Sequence, residues 1–167
     1  LDALQIRPIL SESMVVIGPA RGNRRFQLQH RNGMRIKDIA KIPLIMPSLP
    51  HNNRRLLEQA ATQHGVQLQI MLEVDSVGLT KAMVARGLGY SVITYAAVHD
   101  EVARRRIRAY PIERPPLISM LAIATLRDMQ LSPCARAMIQ TLRTTVERLV
   151  SEKKWPNALM IEKGAAA

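Results

Sequence analysis

Residues Glu73 to Tyr95, EVDSVGLTKAMVARGLGYSVITY, decide the fold of this chain. Glu73 and Val74 close one strand. Asp75 or Ser76 can cap the helix that follows, because either side-chain oxygen can accept from its first free N–H groups. Leu79, Ala82 and Met83 recur at helical spacing and predict its buried face. Gly87 suits the left-handed residue that stops a helix. Gly89 leads into the apolar run Tyr90 to Ile93, a second strand. A strand–helix–strand unit this short predicts parallel pairing. Thr94 and Tyr95 then stand at the carboxyl end of a strand, where open α/β sheets bind ligands.

Upstream, Met14 to Gly18 reads as a short apolar strand and Pro19 to Gly33 as a basic, glycine-punctuated surface loop. Ile36 to Ala40 gives one helical turn at most, and Pro43 to Met46 a buried strand. The turn Ser48-Leu49-Pro50-His51-Asn52 leads into a helix to about His64. Leu56, Leu57, Ala60 and Ala61 form its apolar stripe, and Gly65 ends it. Val66 to Val74 alternates as a strand. Downstream, Tyr95 to Arg105 predicts a short helix, and Ile107 to Ile112 an edge strand. Pro115-Pro116 breaks the chain before a strand at Leu117 to Leu126. Ser132-Pro133 is a helix start signal, and Met138, Leu142, Val146 and Leu149 continue that helix as one stripe. From about Lys153 the chain reads as a tail. This order predicts an α/β lobe entered and left by two flanking strands, as in a hinged, two-lobed binding protein.

The composition supports a packed core. Of 167 residues, 47% are hydrophobic but only 3% aromatic, so aliphatic side chains and nine methionines must fill the interior. No apolar stretch approaches the roughly 20 residues needed to span a bilayer. The one cysteine, Cys134, excludes an internal disulfide and sits in the predicted first turn of the last helix, without the His or Asn of a cysteine enzyme nearby. The net charge of +11 favours anionic partners, but the arginines are scattered, and no aromatics interleave with them as in a single-strand platform. The simpler reading is a solvated basic surface.

Four stretches in order resemble the effector-binding domain of LysR-type transcriptional regulators: LDALQIRPILSESMVVIGP, MRIKDIAKIPLIMPS, EVDS with LTKAMVARGLGYSVI, and RAYPIERPPLISMLAIATLRDMQLSPCARAMIQTLR. The resemblance runs from Leu1 to about Val150. It implies a periplasmic-binding-protein-like (type 2) α/β fold of two lobes, with a small effector in the cleft between them. Residues 20–116 would be the complete second lobe. Residues 1–19 and 117–152 would supply the hinge strands and C-terminal helix of a partial first lobe, and 153–167 a tail. The rest of the first lobe and the helix-turn-helix domain would precede Leu1. The implied function is ligand sensing by a cytoplasmic regulator that self-associates as a homodimer or tetramer. It would meet DNA only through a domain outside this chain. A solute-binding protein of a transport system shares the architecture and is the rival, and a basic nucleic-acid-binding module is a third reading.

The candidate effector-binding residues are Ser48, Leu49, Pro50, His51, Arg54, Thr94 and Tyr95. The turn before the helix offers free N–H groups and a partial positive charge, a ready anion site. Ser48 can donate a hydroxyl, and Arg54 can pair with a carboxylate. The alternative is a Ser48 that shapes the turn and an Arg54 that faces water. Thr94 offers a hydroxyl and Tyr95 a ring with a polar tip, unless Tyr95 only packs. The family resemblance also places effector contacts near the Ser48 turn, although Asn52-Asn53 stand where a glycine and an apolar residue are expected. No cofactor or metal is expected: His30, His51, His64 and His99 lack ligand spacing. No triad, phosphate loop or convincing carboxylate pair supports catalysis, so the chain reads as a non-enzyme.

Overall fold

A computed structural model of the chain describes residues 3–21 and 33–161. Most of the loop predicted over Pro19 to Gly33, and the end of the predicted tail, lie outside the described residues. The elements run β1 (Leu4–Pro19), α1 (Ile36–Ile39), β2 (Leu44–Met46), α2 (Asn52–Gln63), β3 (Ile70–Glu73), α3 (Val77–Ala85), β4 (Ser91–Thr94), α4 (His99–Ala103), β5 (Ile107–Pro111), β6 (Ile118–Leu126), α5 (Pro133–Ser151) and β7 (Ala158–Met160). The α/β fold class agrees with the sequence expectation. Contacts divide the chain into two compact units. One is Ser13–Ser119, and the other joins Leu1–Glu12 to Met120–Ala167.

In the Ser13–Ser119 unit, β2 and β3 pair in parallel, with Leu44 opposite Ile70 and Met46 opposite Glu73. Tyr90 extends this arrangement: its N–H donates to Pro43 O at 2.9 Å, and its C=O accepts from Ile45 N–H at 2.7 Å. The parallel sense predicted from Glu73 to Tyr95 therefore holds for β2, β3 and the entry to β4. The continuation is different. β1 pairs antiparallel with both β4 and β5. It is buried on both faces: Met14 and Val16 pack in one core cluster, Val15 and Ile17 in another. A strand covered on both sides needs apolar residues at every position, which is why Met14 to Ile17 reads as a run rather than an alternation.

Local signals set the ends of the helices. Ser76, rather than Asp75, caps α3 by accepting from Leu79 N–H at 3.4 Å. Gly65 and Gly87 take φ of +64° and +78° at the stops of α2 and α3. The expected buried face of α3 is not the observed one. Thr80 and Val84 are buried and Met83 packs partly, while Leu79 is 53% exposed. A nine-residue helix with apolar residues on most sides has a weak stripe, so contacts with β2 and β5 select the face rather than periodicity. The helix predicted over Tyr95 to Arg105 divides into a 3-10 turn (Tyr95–Ala97) and α4. The strand expected from Val66 begins only at Ile70.

In the other unit, β1 runs back to Leu4, well before the predicted start at Met14. Pro8 and the polar residues around it hide the strand from a hydrophobic count. The residues from Lys153 are not wholly a tail. β7 pairs antiparallel with β1, Leu10 opposite Met160, and Trp155 Nε1–H donates to the buried Glu12 carboxylate at 3.1 Å. Ile9, Leu10, Val146 and Ala158 form the core there, with Val150 and Trp155 packed on it. Only part of the stripe predicted for α5 is covered, since Met138 and Leu142 stay exposed.

Candidate functional site

The ends of β2, β3 and β4 meet at one edge of the Ser13–Ser119 unit. Parallel pairing forces this, because each strand delivers its C-terminal residue to the same side. Pro47 and Ser48 follow β2, Val74 and Asp75 follow β3, and Thr94 ends β4. Between them lies an open hollow lined by Pro47, His51, Asn53, Asp75, Thr80 and Ser91, with Val74, Val77, Val92 and Ile93 as its apolar surface.

Ser48 is tied to Asp75. Its N–H and its hydroxyl both donate to Oδ1, at 2.9 and 2.8 Å, and the hydroxyl also lies 2.9 Å from Oδ2. These bonds to the Ser48 hydroxyl and N–H hold the Asp75 carboxyl below its ordinary value, with a smaller contribution from nearby His51. The Asp75 carboxylate is thus ionised at neutral pH and fixed at the rim.

His51 is the N-cap of α2. Its Nδ1 accepts from Asn53 N–H at 3.2 Å, which leaves Nε2 as the ring nitrogen that can donate outward. Leu49 is 60% exposed, and the exposed Pro50 follows it through a cis peptide bond. Neither lines the hollow. Arg54 does not face water: the guanidinium is buried, donating to Glu58 at 2.7 Å and Glu73 at 3.2 Å, with Pro47 O at 3.5 Å. Arg55 turns back onto Asn52 at 2.9 Å. Thr94 stands half-buried at the same strand edge as Ser48, outside the lining. Tyr95 packs partly against the cluster of Val98 and Ile107.

The structure therefore brings together Ser48 and His51 and adds Asn53, Asp75, Thr80 and Ser91. Thr80 is 4% exposed and lines the hollow. Ser91 is 2% exposed, with Met46 Sδ 3.8 Å from its hydroxyl. A serine inside the apolar run Tyr90 to Ile93 was a signal available in the sequence, since buried hydroxyls need a reason. Among the described residues no group of three or more His, Cys, Asp or Glu is placed to hold a metal, and no helix is long and apolar enough to cross a membrane.

A family model described as the LysR substrate binding domain matches residues 1–147. The HTH-type transcriptional regulator BbuR of Bordetella bronchiseptica is 25% identical over 150 residues, 90% of this chain and 45% of that protein, so the chain spans under half of the relative's length. The CcmR regulatory domain of Synechocystis, solved in complex with 2-PG, superposes with a TM-score of 0.74 at 23% identity over 87% of this chain and 68% of that chain. The effector binding domain of QuiR in complex with shikimate gives 0.73 at 16% identity over 88% and 67%. The regulatory domain of MetR from N. meningitidis gives 0.76 at 16% identity over 97% and 70%. At these identities the structural likenesses establish the fold.

Proposed function

The chain belongs to the LysR substrate binding domain family, and from that premise we propose that it is the ligand-sensing part of a DNA-binding transcriptional regulator. Its small effector occupies the hollow at the ends of β2, β3 and β4. The observation that carries this reading is the hollow itself, where the ends of three strands bring the polar residues His51, Asp75, Thr80 and Ser91 onto one lining. His51 Nε2–H, the start of α2 and the Ser91 hydroxyl supply further polar contacts, and Val77, Val92 and Ile93 the apolar ones. The protein acts in the cytoplasm as a homodimer or tetramer and meets DNA through a domain outside these 167 residues. It works as a regulator, not as an enzyme. A solute-binding role is the weaker reading, because the relative with the same family segment is a transcriptional regulator.

The test is effector-dependent transcription from the regulator's own promoter. Thr80→Val and His51→Ala should each raise the effector concentration for half response. One lost hydrogen bond, about 0.5–1.5 kcal/mol, predicts a factor of about 2–10. Unchanged half-response in both variants would refute the site.

A further inference from the structure

The hollow carries a charge opposite to that of the molecule. The chain is +11, yet the only carboxylate or guanidinium lining the hollow is the carboxylate of Asp75. Behind it, Arg54 is matched by two carboxylates, Glu58 and Glu73, so it projects no free positive charge into the site. Arg55 is folded onto Asn52 and does not line the hollow. Ser48 uses its hydroxyl and N–H to fix Asp75, leaving part of the lone-pair capacity on Oδ2 open. The same lining holds the amino end of α2 and His51, whose Nδ1 takes the Asn53 N–H and leaves Nε2–H as a donor. Thr80, 4% exposed, lines the same hollow.

Resting on the effector-site reading above, we propose that the ligand is a small zwitterion of the amino-acid type, its ammonium held by Asp75 and its carboxylate by the α2 N-terminus and His51. Charge sets the choice. A simple anion would face Asp75, and no arginine stands among the described residues lining the hollow to offset the repulsion. An ammonium gives Asp75 a charge-assisted partner, and a carboxylate at a helix start meets the favourable end of the dipole. Ser48 is then a positioning residue that aims the carboxylate.

The experiment compares matched pairs: L-amino acids and the 2-hydroxy acids in which a hydroxyl replaces the ammonium. Binding is read by calorimetry on the purified protein, and occupancy by methyl chemical shifts of Thr80 and Val92. Amino acids should bind at least about tenfold more tightly than their hydroxy partners. Asp75→Asn, whose amide oxygen can still accept from Ser48, should remove that preference. Thr80→Leu should abolish binding of both series by filling the hollow, and the methyl shifts in the unmodified protein read the same site without a variant. Binding that moves the Thr80 and Val92 methyls but favours the hydroxy acids overturns the charge assignment alone. Binding that leaves those methyls unmoved overturns the site reading as well. A protein that binds neither series overturns the proposal.

Discussion

Arg54 offers the sharpest test of the local packing. Its guanidinium bridges the first turn of α2 to the end of β3, at 2.7 Å from Glu58 and 3.2 Å from Glu73. The arginine side chain is only 10% exposed, against 37% and 55% for the two glutamates. Removing it therefore strands no buried charge, because both carboxylates can rehydrate. The well-made Glu58 bond contributes about 1 kcal/mol, and the Glu73 pair, half in water, less than about 0.5 kcal/mol. Arg54→Ala also deletes buried methylenes at about 0.8 kcal/mol each. The total is about 2–3 kcal/mol, which in a chain of this size lowers the melting temperature by about 4–12 °C. Arg54→Met keeps the stem and should lose only about 1–1.5 kcal/mol, the ion-pair share. Denaturant unfolding followed by circular dichroism measures both. Wild-type stability in Arg54→Ala, together with lost ligand response, would refute this account and return the guanidinium to the ligand.

Gly18→Ala should destabilise by about 1–3 kcal/mol, because an added Cβ would lie 2.6 Å from the ring of buried Tyr90; a midpoint equal to wild type in urea would contradict this. Burial pushes the Tyr90 hydroxyl up to about 12, so the ring should stay protonated at pH 11 when its absorbance is followed in the native state. The Ser48–Asp75 clasp has a definite sign with pH. The native Asp75 carboxyl titrates below its ordinary 3.8, so the clasp contributes fully above that value and is lost as pH falls through the lowered one; NMR titration should show Ser48→Ala moving it back upward. Ser48→Ala and Thr94→Val should both leave the fold intact, with Ser48→Ala having the larger effect on ligand response, since Ser48 fixes a lining residue and Thr94 only borders the hollow.

How much was legible followed the length scale of each signal. The stops of α2 and α3 and the cap of α3 were readable because one residue sets each: Gly65, Gly87 and Ser76 act through their own backbone and side-chain geometry. Strands β2, β4 and β6 were readable as apolar runs. β7 was not, because three residues are too few to show a period, and its place depends on Trp155 reaching Glu12 across the sequence. The first half of β1 was hidden by Pro8 and its polar neighbours. In the site, the Ser48 turn and the strand end at Thr94 followed from topology. Asp75 did not, since a carboxylate before a helix looks like its cap and only the fold reveals the bond to Ser48. Arg54 likewise needed Glu73, nineteen residues away, before its role could be read.

The division of β1 has a consequence during synthesis. Ser13–Ser119 is one uninterrupted stretch, so it can close its core as a nascent chain while the rest is still being made. The Leu4–Glu12 half of the same strand is made earlier but must wait for Ala158–Met160 before its last residues gain that partner. About 150 residues of translation separate them, roughly 7–30 s at ordinary elongation rates. Throughout that interval Ile9 and Leu10 lie on a strand edge still lacking its β7 neighbour, the kind of surface chaperones bind and aggregates grow from. Slow codons placed between Ser119 and Trp155 should therefore lower yield without changing a single residue.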